Sequence, residues 1–176
     1  MNNVDMKKTA IAVGAAALSV GTMGLTAPAQ SAPNEQIPNK QALAKRYLRA
    51  VCPVNRQNFK IADEWNAAGW PRRHDPPVGT PVPSGLRLAF QRASGASGRA
   101  VKIFKKGNWP DSLAEEYDVL VEFYVVSVPF YGSRDTSTVR KSWMNPDKLP
   151  DSRPAAKKMR RALGLPRAPK GCGGLG

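Results

Sequence analysis

From Gln41 onward the apolar positions of the chain recur with the period of a helix. Leu43, Ala44, Tyr47, Leu48 and Val51 form one stripe, with Lys45, Arg46 and Arg49 on the other side. Pro53 disfavours helical geometry at Cys52 and suits the first turn of a new helix, where its missing N–H costs nothing. A second helix is therefore expected, with Val54, Asn58, Ile61, Ala62, Trp65 and Ala68 on one face and Gly69 as its stop. Cys52 would mark the corner between the two. The proline-rich segment 70–83 holds Pro71, Pro76, Pro77, Pro81 and Pro83 and predicts a loop or polyproline-type connection across the surface. Ser84 is placed to cap a third helix reaching Lys106, with Leu86, Phe90, Ala93, Ser97, Ala100 and Phe104 on its inner face. Gly95 and Gly98 leave two outcomes open there, a break or a close approach of a neighbouring element.

Trp109-Pro110-Asp111 opens the next helix, and Asp111, Glu115 and Glu116 fall early in it, where the helix dipole favours negative charge. Leu113, Tyr117, Leu120, Val121, Tyr124 and Val128 keep helical spacing. The valines and aromatics of 119–128 favour strand instead, and the amphipathic acidic front decides for helix. With Val119, Val121, Phe123, Val125 and Val126 also apolar, this helix is expected to be central and buried on most sides, ending at Pro129 and Gly132. Asp135 is placed to cap a short helix holding Val139, Trp143 and Met144 before Pro146. A last helix is expected from Asp151 to Leu163, capped by Asp151 or Ser152, with Ala155, Ala156, Met159, Ala162 and Leu163 facing inward and Gly164-Leu165 as its stop. The pattern thus predicts an all-α fold, a small bundle of five to six helices in one domain over residues 40–176. Tyr47, Trp65, Phe90, Phe104, Tyr124 and Trp143 are its expected aromatic core.

The first part of the chain reads differently. Lys7 and Lys8 precede a short apolar run from Ile11 to Leu25, followed by the small residues of Ala27-Pro28-Ala29-Gln30-Ser31-Ala32. That is the three-part pattern of a secretory signal, so residues 1–32 are expected to be cleaved and 33–39 to form a flexible leader. The run is short for a membrane span and contains Gly14, Gly21 and Gly24. The mature protein is expected outside the cytoplasm. There, two cysteines most simply form one intramolecular disulfide, the alternatives being two free thiols or a bridge between two molecules. An intramolecular bond between Cys52 and Cys172 would close nearly the whole domain into one loop.

Charge adds the main functional hint. The chain of 176 residues carries a formal net charge of +14, and loss of residues 1–32 would leave +13. A field of that sign attracts polyanions. The cations cluster at Lys45-Arg46 with Arg49, at Arg72-Arg73-His74, at Arg99, Lys102 and Lys105-Lys106, at Arg140-Lys141, and at Lys157-Lys158, Arg160-Arg161, Arg167 and Lys170. Arg72, Arg73, Lys105, Lys106, Lys157, Lys158, Arg160 and Arg161 are the candidate anion-binding residues, with Trp70 and Trp109 beside basic residues as candidate stacking surfaces. The single histidine, His74, supplies no zinc set, and no metal site or small-molecule cofactor is expected. Glu115, Asp118 and Glu122, at i, i+3 and i+7, are the only carboxylate set resembling a hydrolytic pair; Glu115 and Glu122 are its candidate catalytic residues. No Gly-x-Ser-x-Gly elbow, P-loop or His-Glu-x-x-His motif is present.

Several short stretches carry a resemblance. They are Tyr47…Val51-Cys52-Pro53-Val54-Asn55, Trp109-Pro110-Asp111, and Arg161-Ala162-Leu163-Gly164-Leu165-Pro166…Gly171-Cys172, behind a signal-like start. With them the chain is similar to a group of small, secreted helical proteins of actinobacteria whose function is unknown. The resemblance implies an extracytoplasmic helical fold with Cys52 and Cys172 paired, and it supplies no activity. Three functional readings stand. The first is a non-enzymatic cationic protein binding an anionic envelope or extracellular polymer, or a membrane surface, without specific nucleic-acid recognition. The second is a wall-active hydrolase using carboxylates of the 111–122 helix. The third is a structural or partner-binding module.

Overall fold

The computed structural model describes residues 37, 39–70, 76–141, 143, 149–166 and 172. The expected signal segment 1–32 lies outside the described residues, as do most of the leader, Arg72, Arg73, His74, Met144, Pro146, Arg167 and Lys170. Four α-helices run in the order α1 (Lys40–Ala67), α2 (Ser84–Lys105), α3 (Ala114–Gly132) and α4 (Arg153–Ala162), with a 3-10 turn at Asp111–Leu113 before α3. Among the described residues there is no strand, so the all-α expectation holds. The expected count of five to six helices does not, for two separate reasons.

First, α1 does not turn at Cys52: it is one helix of 28 residues with Pro53 inside it. Its buried positions explain why. Leu43, Tyr47, Ala50, Val54 and Trp65 stay in phase on one side of a single 3.6-residue spiral through the proline. A bend at Pro53 would turn half of that stripe away from α2, and the burial of Val51, Cys52 and Val54 outweighs the lost backbone hydrogen bond. Gly69 (φ 70°) then ends the helix, as expected, with its N–H on the Asn66 carbonyl and the Trp70 N–H reaching back to the Trp65 carbonyl at 3.3 Å.

Second, the described residues of 135–143 form no helix. After bends at Thr136 and Ser137, the β-branched Thr138 meets the end of the proline-rich segment in an isolated antiparallel bridge, opposite Pro81. The Val139 N–H donates to the Thr80 carbonyl, the Val82 N–H to the Ser137 carbonyl and the Gly79 N–H to the Val139 carbonyl, each at 2.9 Å. Pro81, which has no N–H to give, sits between the two donating positions of its own segment. Val82 and Val139 are buried by this pairing, so the segment 76–83 is tied into the fold as well as crossing its surface.

α2 is continuous, and its expected inner face is its observed one: Leu86, Phe90, Ala93, Ser97, Ala100 and Phe104 are all buried. Ser84 is its first residue and makes no side-chain cap. The small residues serve close approach. Ser94 Oγ donates to the Val128 carbonyl of α3 at 2.9 Å, and a Cβ at Gly98 would lie 3.8 Å from Val128 Cγ2. α3 is helical through 119–128, and Pro129 lies within it. Its buried stripe is Glu116, Leu120, Tyr124, Ser127 and Tyr131, while Val125 is 46% exposed, so the helix is packed on one side rather than most sides. α4 is shorter than expected by a residue or two at each end. Asp151 Oδ1 accepts the Arg153 N–H at 3.1 Å, and Gly164 (φ 69°) closes the other end with the Leu165 N–H on the Arg160 carbonyl.

Two apolar clusters fill the bundle. One packs Tyr47 and Val54 of α1, Phe104 of α2, Leu120 and Tyr124 of α3 and Met159 of α4. The other packs Trp65, Phe90, Tyr131, Val139 and Trp143, with Trp65 and Trp143 stacked at 6.2 Å between ring centroids. All six expected core aromatics are buried. Cys52 and Cys172 are joined, with Cα atoms 5.4 Å apart and a sequence separation of 120. No helix among the described residues is long and apolar enough to cross a membrane.

Candidate functional site

The exposed face of α2 carries no carboxylate. Its sequence holds Arg87, Arg92, Arg99, Lys102 and Lys105 and no aspartate or glutamate. Arg92, Arg99, Lys102 and the following Lys106 are spaced i, i+7, i+10 and i+14, on the side opposite Phe90, Ala93 and Ala100, and all four are exposed. They make a straight row about 21 Å long. The sequence clusters had singled out Arg99, Lys102, Lys105 and Lys106. Arg92 was missed because it is isolated in the chain, although its spacing from Arg99 is two helical turns. α3 is the converse, with Glu115, Glu116, Asp118 and Glu122 and no lysine or arginine.

The cations of α4 divide. Lys157 and Arg161 are exposed. Lys158 forms an ion pair with Glu116, whose side chain is only 5% exposed, and this hydrogen bond raises the lysine pKa. Arg160 is buried and is part of the fold rather than of a solvated anion-binding face. Its Nε and Nη2 donate to the Pro166 carbonyl at 2.8 and 2.5 Å, and its guanidinium lies 5.9 Å from the Tyr47 ring centroid. Its position on the inner side of α4, beside Met159 and Leu163, is what removes it from solvent.

Glu115 and Glu122 do not line one cleft. A shallow cleft of about 320 Å³ between α3 and α4 is lined by Glu115, Glu116 and Asp151 with Lys158, Val119, Pro154 and Ala155. Glu122 is outside it, one face-turn further along α3. The buried carboxylate is Glu116, held by Lys158, while Glu115 and Glu122 are exposed. Glu116 precedes Leu120 by four residues on the inner stripe, and that phase was the available signal. No group of three or more metal-ligating side chains occurs among the described residues. The two candidate stacking tryptophans are engaged in packing. Trp109 donates its indole N–H to the Phe104 carbonyl at 2.9 Å, and Trp70 lies edge-on to Trp65 at 4.9 Å.

A second cleft, of about 440 Å³, lies at the C-terminal end of α3. Val126, Pro129 and Phe130 form its apolar wall, Trp143 closes it on one side, and Arg134, Arg140 and Lys141 bring three cations to it. Arg134 is 4% exposed and is fixed by a hydrogen bond from its Nη1 to the Phe130 carbonyl, with its guanidinium carbon 3.5 Å above the Phe130 ring. Arg140 and Lys141 are exposed at the rim. The Trp143 indole N–H is buried without an acceptor among the described residues, a state that costs about 1–3 kcal/mol. Sequence reading had singled out Arg140-Lys141 but not Arg134, which becomes a neighbour only through the turn after α3.

No known protein family matches this chain, and no curated protein or solved structure resembles it closely enough to place it beside a relative.

Proposed function

We propose that this protein is exported and works without catalysis, as a cationic helical protein that binds an extended anionic polymer of the cell envelope or its surroundings. The observation that carries this reading is the row Arg92, Arg99, Lys102 and Lys106. The ion pairs Arg153–Asp151 and Lys158–Glu116 both lie off this row. A linear array of exposed cations on a helix without aspartate or glutamate suits a linear polyanion, whose counterions are released on contact. Export is supported by the signal-like pattern of residues 1–32 and by the Cys52–Cys172 bond, since disulfides persist in oxidising compartments.

The test is binding of the mature domain to heparin, as a model polyanion, over a range of salt. Affinity is expected to fall steeply with salt, and the slope to drop by about one for each cation of the row replaced by alanine. Arg153→Ala, which removes a cation already paired with Asp151, is expected to leave the slope nearly unchanged. Equal effects of all these replacements, or elution at low salt, would remove the assignment.

A further inference from the structure

The cleft at the end of α3 has features the polyanion reading does not use. Its three cations line one cleft instead of forming a row, and they share it with an apolar wall. That wall continues along α3. Val119, Phe123, Val126 and Phe130 are spaced i, i+4, i+7 and i+11 and are half-buried, so they form a stripe of partly uncovered apolar surface about 16 Å long. Beside the far half of the stripe stand Asp118 and Glu122, both exposed.

We propose that this cleft binds a single-chain anionic amphiphile as a monomer, an alkyl phosphate or long-chain carboxylate. Its head sits between Arg140, Lys141 and Arg134, and its chain lies along the Val119–Phe130 stripe. The charges select this occupant. Arg140 and Lys141 are free to swing onto an anion, while Arg134 is prefixed over Phe130 and adds positive potential from within the wall. The cleft volume of about 440 Å³ falls in the ordinary range for small-molecule sites, and their usual make-up is an apolar wall with a few converging polar groups. Asp118 and Glu122 would repel the surface of an anionic bilayer laid against the stripe but leave a neutral alkyl chain undisturbed. This site is separate from the α2 row, and each can fail without the other.

The experiment is calorimetric titration of the mature, disulfide-bonded protein with dodecyl phosphate below its micelle concentration. One molecule is expected to bind per chain. The Arg140→Glu, Lys141→Glu variant is expected to weaken it by about tenfold or more, equivalent to about 1.4 kcal/mol. The Lys45→Glu, Arg49→Glu variant makes the same charge change on exposed α1 positions and is expected to stay within about twofold. Val126→Thr, nearly isosteric, is expected to weaken dodecyl phosphate binding without altering the helical circular dichroism. Inorganic phosphate at the same concentration is expected to bind far more weakly. Vesicles of phosphatidylglycerol are expected to respond equally to the two charge variants. Equal losses of dodecyl phosphate binding in both charge variants would overturn the site. So would inorganic phosphate binding as tightly as dodecyl phosphate, or vesicle binding that depends on Arg140 and Lys141 in the same proportion.

Discussion

Replacing Pro53 by alanine separates a continuous α1 from a pair of helices meeting at Cys52. In a helix interior, proline is about 3 kcal/mol less favourable than alanine, through its absent N–H and its clash with the carbonyl four residues back. Two terms reduce the gain. The unfolded chain recovers backbone freedom worth about 0.4–1 kcal/mol. The ring is half-buried, so its lost methylenes give up about 0.8 kcal/mol. Pro53→Ala is therefore expected to stabilise the protein by about 1–2 kcal/mol, through a new hydrogen bond from residue 53 to the Arg49 carbonyl. At the first turn of a separate helix the same change would instead destabilise, because proline there loses nothing and its φ is already set. The assay is urea unfolding followed by circular dichroism, with the disulfide intact. The midpoint is expected to rise with the slope unchanged. A midpoint that falls or does not move would refute the claim that packing across Val51, Cys52 and Val54 carries the helix through its proline.

Two further outcomes follow from the packing. Alkylation of the unreduced mature protein should label neither cysteine, and a Cys52→Ser, Cys172→Ser variant should lose up to about 4–5 kcal/mol, the chain-entropy value for a closed loop of this length; labelling of both thiols would dissolve the clasp. Burial raises the phenol pKa of Tyr47, Tyr124 and Tyr131 above the ordinary 10.0. Since the folded values lie above the unfolded ones, stability is fully present below about pH 10 and is lost as pH rises beyond it. Phenolate absorbance should then appear together with loss of helix, and a stability that stays level from about pH 9 to about pH 11 would contradict this burial.

Much of the fold was legible in the sequence wherever one period ran uninterrupted. The inner face of α2 follows from Leu86 to Phe104 because every third or fourth position there is apolar or small, while the outer face carries the charges. The stops at Gly69 and Gly164 were legible because only a left-handed residue closes those helices. Pro53 misled because a local rule about the residue before proline was given more weight than the stripe, which continues in register from Leu43 to Trp65. The segment 135–143 misled for the opposite reason. Its capping signal was local, while its structure is set by pairing with Thr80–Val82, more than fifty residues earlier, and nothing near it announces that partner. α3 sat between these cases. Its apolar residues surround the helix, so the pattern gave the element but not the face, and Glu116 was legible as buried only once Leu120 and Tyr124 fixed the phase. The clefts were the least legible, because Arg134, Arg140 and Trp143 come together only through the turn that follows α3.

The arrangement of charge is hard to account for by folding alone. Along α2 and its C-cap Lys106, Arg99 with Lys102, Lys102 with Lys105 and Lys102 with Lys106 are like-charged neighbours at three or four residues, each costing a few tenths of a kcal/mol. A single glutamate at the exposed position 95, four residues before Arg99, would turn repulsion into pairing and replace a glycine, a poor helix former, with a good one. Four acids stand on α3 instead, none of them on α2, and Glu116 is paired with α4. A bundle selected only for stability would interleave the two signs along each helix. Clustering that raises the energy of the folded chain with no structural return marks a place where local consistency yields to another demand. On α2, the demand that fits four exposed cations in a line is a negatively charged chain lying along them.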